Sequence, residues 1–163
     1  MKTGFSRICI DPPLGVPIVG YYDERRVKGI HDDIFAAAVS FSDGENKAVI
    51  ISVEVCLLTT EQCDHLRERI ADVTKIKKEC VFINCTHTHT GPTIGPDKIT
   101  NLDGSDEYDS FFENALCEVA SNAFEDMRES VFSYADGDVE GISFIRRYRM
   151  KDGGVQTNPG AVA

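Results

Sequence analysis

The chain has 163 residues, 42% of them hydrophobic and 27% charged, with a net charge of −10. That mixture suits one folded domain with an ordinary core and argues against disorder. The acidic balance repels nucleic-acid backbones and anionic membrane surfaces, so a backbone-reading nucleic-acid binder is disfavoured.

The first element is a strand over Gly4 to Ile10. It runs into Asp11-Pro12-Pro13-Leu14-Gly15-Val16-Pro17, where the prolines exclude helix and central strand. The stretch through Gly20-Tyr21-Tyr22 and the charged residues 23–28 reads as a long loop, and such loops often carry function. Residues 34–42 and 47–57 are apolar and rich in strand formers, and Asp43-Gly44 between them signals a hairpin. Side chains alternate along a strand, so Val49, Ile51, Val53, Val55 and Leu57 share one face, and Ile50, Ser52, Glu54 and Cys56 the other.

Thr59 with Gln62 forms a capping-box pattern that starts a helix, and Cys63, Leu66, Ile70 and Val73 give it an apolar stripe. Residues 80–85 form a short apolar run that suits a buried strand. Strand, helix and strand in this order make a βαβ unit with parallel strands. A second helix spans Asp106 to Glu129, with Phe112, Leu116, Val119, Ala123 and Met127 as its stripe and Met127 as core filler. Residues 131–135 and 142–149 read as strands separated by Asp136-Gly137-Asp138. Turn residues close the chain at 151–154 and at Asn158-Pro159-Gly160. The expected fold is α/β, a mixed sheet with a βαβ unit and helices on one face, in a single domain over 1–163.

No apolar run approaches the roughly 18 residues of a spanning helix, because Ser52 and Glu54 interrupt the longest. The first seven residues hold no apolar leader, which points to a cytoplasmic location. The six cysteines have mostly apolar neighbours and form no CxxC pair, so they read as reduced thiols packed as small apolar residues. A GxSxG elbow, a P-loop and a dinucleotide fingerprint are all lacking.

The chemistry concentrates in Asn84-Cys85-Thr86-His87-Thr88-His89-Thr90-Gly91-Pro92. His87 and His89 sit two residues apart at the carboxyl end of a parallel strand, where α/β sheets bind ligands. On an extended backbone both rings point to one side and can share a zinc ion; the alternative is two histidines hydrogen-bonded near a turn. Such a pair supplies at most two of the three or four ligands zinc requires. Glu54 ends a strand parallel to that of the histidines; its carboxylate either orients a histidine, binds the metal, or is simply solvated. His31 lies in a loop and is followed by Asp32 and Asp33, and His65 reads as a surface residue. Arg146, Arg147 and Arg149 either bind an oxyanion or pair with the surplus acids. The carboxylates of 103–109 suit a helix N-terminus.

In these segments the sequence resembles the N-terminal part of the neutral/alkaline non-lysosomal ceramidase family. The resemblance rests on Ile10 to Gly15 with Gly20-Tyr21, on Gly29-Ile30-His31, on Thr86-His87-Thr88-His89-Thr90-Gly91-Pro92, and on Arg146-Arg147 with Asn158-Pro159-Gly160. The block over 86–92 is the most specific of these. The resemblance implies half of an α/β/β/α sandwich and a zinc-dependent amidohydrolase that cleaves the N-acyl bond of ceramide or a related lipid or small molecule. It assigns His87 as a zinc ligand, His89 to the substrate side of the metal, and Arg146 to the scissile amide. Gly20, Tyr21 and His31 fall to substrate binding. Glu54 stands where the family has aspartate, and Ile145 where an asparagine precedes the arginine. The family's nucleophilic serine and remaining zinc ligands lie beyond residue 163, so the chain reads as the first part of a longer catalytic domain with an incomplete zinc site. A half-sandwich leaves one sheet face bare, which implies self-association or a missing C-terminal part. The rival reading is a catalytically silent α/β module that binds itself or a partner.

Overall fold

The computed structural model describes residues 1–21, 23–97, 102–143 and 145–157, and the side chains of 96, 97, 102 and 103 are set aside. Two units are distinguished, residues 1–131 and 132–163.

The first unit is built on a five-stranded sheet. Strands β1 (Lys2–Cys9), β2 (Phe35–Ser42) and β3 (Lys47–Val53) form an antiparallel meander. Helix α1 (Thr60–Thr74) and a single 3₁₀ turn (Lys78–Cys80) lead to β4 (Val81–Cys85), which pairs parallel with β3. The expected βαβ unit is therefore present. A two-strand ladder, β5 (Pro96–Asp97) with β6 (Leu102–Asp103), precedes helix α2 (Asp106–Glu125). Strand β7 (Arg128–Glu129) then pairs with the start of β1, giving the order β4-β3-β2-β1-β7. Among the described residues no helix is long and apolar enough to cross a membrane.

Local chemistry explains the boundaries. Thr59 and Gln62 form the reciprocal capping box, and Lys75 ends α1 in the left-handed region. Ser105 caps α2 by accepting the Tyr108 N–H, and Asp106, Glu107 and Asp109 load its first turn with negative charge. Leu66 and Ile70 of α1 are buried as expected, whereas Val73, in the helix's last turn, is 51% exposed. Helix α2 stops at Glu125, so Met127 lies beyond it, half-buried.

The core lies between the sheet and the two helices. Ala36 and Ala38 of β2 and Val49, Ile51 and Val53 of β3 pack there with Phe112, Leu116, Val119 and Ala123 of α2. Small residues let the helix approach closely. A Cβ on Gly4 would come within 2.0 Å of the Ala123 carbonyl oxygen, so that oxygen occupies the space a side chain would need. The same oxygen accepts the Ser40 hydroxyl at 2.6 Å.

The sheet's other face is open. Register places Phe5, Val39, Ile50 and Phe82 in one row across four strands. Phe5 is 64% and Phe82 59% exposed. The expectation of a buried strand at 80–85 thus needs correction: β4 is an edge strand, wet on one side. The second β-hairpin strand is also shorter than expected, ending at Val53, and Leu57 is exposed rather than on the buried face.

Among the described residues the second unit holds a short hairpin, β8 (Arg147–Arg149) with β9 (Val155–Thr157), closed by a turn in which Gly153 has φ +87°. The strand expected at 131–135 does not form, and that expected at 142–149 contracts to 147–149. Phe132, Tyr134, Ile142 and Ile145 are exposed, and β-formers without a strand to pair with do not hold extended structure alone. Asn158-Pro159-Gly160 lies outside the described residues.

A candidate metal and substrate site at the carboxyl rim

The ladder between β3 and β4 continues past both strands. Thr86 N–H donates to the Val53 carbonyl at 2.9 Å and His87 N–H to the Val55 carbonyl at 3.1 Å. Val55 is fully buried, so this extension is anchored in the core. It sets Cys56 opposite His87. The His87 Nδ1–H donates to the Cys56 carbonyl oxygen at 2.9 Å, which leaves Nε2 as the nitrogen free to bind a metal.

The backbone at His87 is not extended. Its φ is +63°, a left-handed conformation rare for a residue with a side chain. The expected route to two rings on one side is therefore wrong, yet the rings do meet: their centroids are 5.0 Å apart, edge to face. The twist at His87 turns its ring onto the Cys56 carbonyl, and His89 follows from the other side.

His89 is boxed by the proline loop. That segment is tied rather than structureless, through Gly15 N–H to Val27 O at 2.8 Å, Ile18 N–H to Arg25 O at 2.9 Å, and Thr93 N–H to Pro17 O at 2.8 Å. Val16, Val19 and Val27 are buried, and the tip carries Gly20 and Tyr21. Gly20 has φ +98°, and a Cβ there would lie 2.6 Å from the His89 ring, so both backbone and space demand glycine. The Tyr21 ring stands edge-on to His89 at 6.0 Å, and the Arg25 guanidinium lies over Tyr21 at 3.6 Å.

Ligand atoms of Cys56, His87 and His89 all fall within 4.8 Å of one another. Cys56 Sγ is 3.7 Å from His87 Nδ1. One thiol and two imidazoles are a donor set suited to zinc, and both imidazoles are exposed, so an entry path exists. Sequence reasoning overlooked Cys56. The available signal was its place opposite the histidine pair in the parallel pairing that the βαβ argument demanded.

Beside this cluster lies a cleft of about 560 Å³ walled by Asp11, His31, Asp33, Glu54 and Thr90 among others. Glu54 Oε2 accepts the Phe35 N–H at 2.8 Å, so this carboxylate fastens β2 while lining the cleft. The group orienting His87 is the Cys56 carbonyl rather than Glu54. His31 is exposed and 2.8 Å from an Asp32 carboxylate oxygen. His65 is a surface residue 3.4 Å from Glu113, as expected. Arg146 belongs to the second unit, exposed and just before β8. Burial pushes the Cys85 thiol up to about 11 and raises those of Cys63 and Cys117, which suits inert packing residues.

The sequence matches no family model. The fold is shared with solved structures. Neutral ceramidase from Pseudomonas aeruginosa superposes with a TM-score of 0.66 at 16% identity, over 78% of this chain and 22% of that one. A structure described as ceramidase complexed with C2 superposes equally well, with a TM-score of 0.66 at 16% identity over 78% of this chain and 21% of that one. The chain thus spans about a fifth of the length of these structures.

Proposed function

We propose that this chain carries the metal-binding and part of the substrate-binding machinery of a ceramidase-like amide hydrolase, acting on ceramide or a related N-acyl substrate. The observation that supports it is the meeting of His87 and His89, rings 5.0 Å apart, at the carboxyl rim of the parallel β3–β4 pair in a ceramidase-like fold.

Zinc, when held by His87 and His89, would polarise an acyl carbonyl and lower the pKa of the attacking hydroxyl or water. The protein's own part is positioning. The Cys56 carbonyl accepts the His87 Nδ1–H, which orients the ring with Nε2 available to a metal. Gly20 and Tyr21 fix the His89 ring at the rim, where it stands beside His87. Glu54, with one oxygen on the Phe35 N–H, has Oε1 left to accept a proton or a substrate hydrogen bond in the cleft. His31 borders the same cleft and contacts the head group, and the resemblance alone assigns Arg146, in the other unit, to the scissile amide. The test is metal content together with fatty-acid release from a short-chain N-acyl sphingosine. Bound zinc and hydrolysis, both lost in His87→Ala and His89→Ala, are expected. A folded protein that retains no zinc and releases no acid overturns the reading.

A second reading, an α/β module that associates with itself, is favoured by the bare row Phe5, Val39, Ile50 and Phe82. A face-to-face pairing would remove that row from water. Light scattering after size exclusion should then show a dimer that Phe82→Glu converts to monomer; a monomer at high concentration defeats it.

A further inference from the structure

We infer that Cys56 is the third protein ligand of this site, so that residues 56, 87 and 89 together bind a thiophilic divalent cation. The inference shares with the proposed function only the premise that the imidazoles bind a metal, and adds a thiolate that neither the sequence pattern nor the resemblance supplies.

Four observations meet here. Cys56 is 3% exposed, and its sulfur lies against the His87 ring, 3.7 Å from Nδ1. Its ligand atom and those of both histidines lie within 4.8 Å of one another. Zinc bonds of roughly 2.0–2.3 Å place tetrahedral donors roughly 3.3–3.6 Å apart, so closure asks the donors to approach by at most about 1.5 Å. The carbonyl of the same residue fixes the His87 tautomer, so one residue both orients a ligand and is one. Finally, His87 adopts φ +63°, a left-handed conformation that persists in a residue with a side chain only where surroundings impose it. What it achieves is to set the ring against Cys56.

The twist at His87 seats its ring on the Cys56 carbonyl and so brings the thiol and the imidazole together, with both imidazoles open to solvent. Three protein donors with exposed imidazoles leave a fourth position to water or substrate, the arrangement of a catalytic rather than a structural site. A thiolate also sets selectivity, because Mg²⁺ and Ca²⁺ prefer oxygen and zinc, cobalt and copper accept sulfur.

The experiment is a Co²⁺ titration of the full chain after chelator treatment, followed by absorption. One equivalent should bind with visible ligand-field bands and a near-ultraviolet sulfur-to-cobalt charge-transfer band. Zn²⁺ should displace it, and Mg²⁺ and Ca²⁺ in excess should not. Cys56→Ser should lose the charge-transfer band, keep ligand-field absorption and bind at least about 10-fold more weakly. Cys85→Ser should leave the spectrum unchanged, as should Cys9→Ser, which removes the sulfur of the other candidate cluster, Cys9, Asp11 and Asp33. If Cys56→Ser fails to fold, X-ray absorption on the zinc-loaded wild type decides, with one sulfur at about 2.3 Å expected.

A charge-transfer band that survives Cys56→Ser, or disappears in Cys9→Ser, overturns the inference. Binding without any thiolate signature also overturns it and leaves the hydrolase reading standing. Thiolate-bound cobalt in a protein that cleaves no N-acyl bond supports the inference and counts against that reading. No binding at all removes both metal assignments.

Discussion

Along β3 and its continuation, two stretches only a few residues apart follow different rules. Val49, Ile51 and Val53 are fully buried in regular extended backbone, paired on both sides and covered by α2. Just past the strand end, Cys56 faces a histidine in left-handed conformation, and Gly20 approaches a second imidazole with φ +98°. In the first stretch every local preference agrees with the fold, so the structure there is overdetermined. In the second, neighbouring elements impose on His87 a conformation it would not choose and leave room only for glycine at position 20, and the result is a cluster of donors open to solvent. Such strain is expected where a protein has assembled a site.

The contrast predicts unequal responses to substitution. The largest stability effect belongs to the packed stretch: Leu116→Ala, at a fully buried position facing the sheet, should destabilise the protein by about 2–5 kcal/mol in urea unfolding. Cobalt affinity of the folded fraction should stay unchanged. A loss below about 1 kcal/mol would mean that α2 does not seal the core.

Gly20→Ala tests the strained stretch. The added methyl meets the His89 ring at 2.6 Å, and the positive φ penalises any side chain. We expect about 1–2 kcal/mol of destabilisation with at least a 10-fold loss of cobalt affinity. The reverse pattern, full affinity with a core-sized stability loss, would show that the loop tip supports folding rather than His89.

A smaller effect isolates the backbone at His87. Both His87→Gly and His87→Ala remove the imidazole, and both should abolish cation binding. Glycine relieves the left-handed conformation and alanine does not, so the glycine variant should be more stable by about 1 kcal/mol. Equal stabilities, or a more stable alanine variant, would remove the argument from strain.

The same contrast explains what the sequence disclosed. Period-two alternation located β3, and the Thr59–Gln62 pattern located α1, because those signals are local and the packed side obeys them. Parallel pairing of β3 with β4 followed from chain order and brought the histidines to the correct edge. Cys56 escaped notice because its role depends on where two chain segments end relative to one another. The twist at His87 escaped for the same reason: no residue pattern announces a positive φ at a histidine. Residues 131–135 misled in the opposite direction, since strand-forming side chains predict a strand only if another edge receives it.

The smallest predicted effect lies at the far edge of the sheet and concerns acid. Asp126 accepts the Phe5 N–H at 3.0 Å and pairs with Arg128, and these contacts hold its carboxyl below the usual carboxylate range, the Phe5 N–H contributing most. A carboxylate with a depressed folded-state pKa binds fewer protons in the folded than in the unfolded chain. Its contribution is therefore complete above the ordinary Asp pKa of about 4 and is lost as pH falls through the lower folded value. Asp126→Asn should accordingly lower the melting temperature slightly at pH 7 and flatten its decline below pH 4. The two curves should converge in acid. Because the group is exposed, added salt should shrink the difference at neutral pH. Curves that stay parallel across the acid range would show that Asp126 stabilises the β1 edge through hydrogen-bond geometry alone and not through its charge.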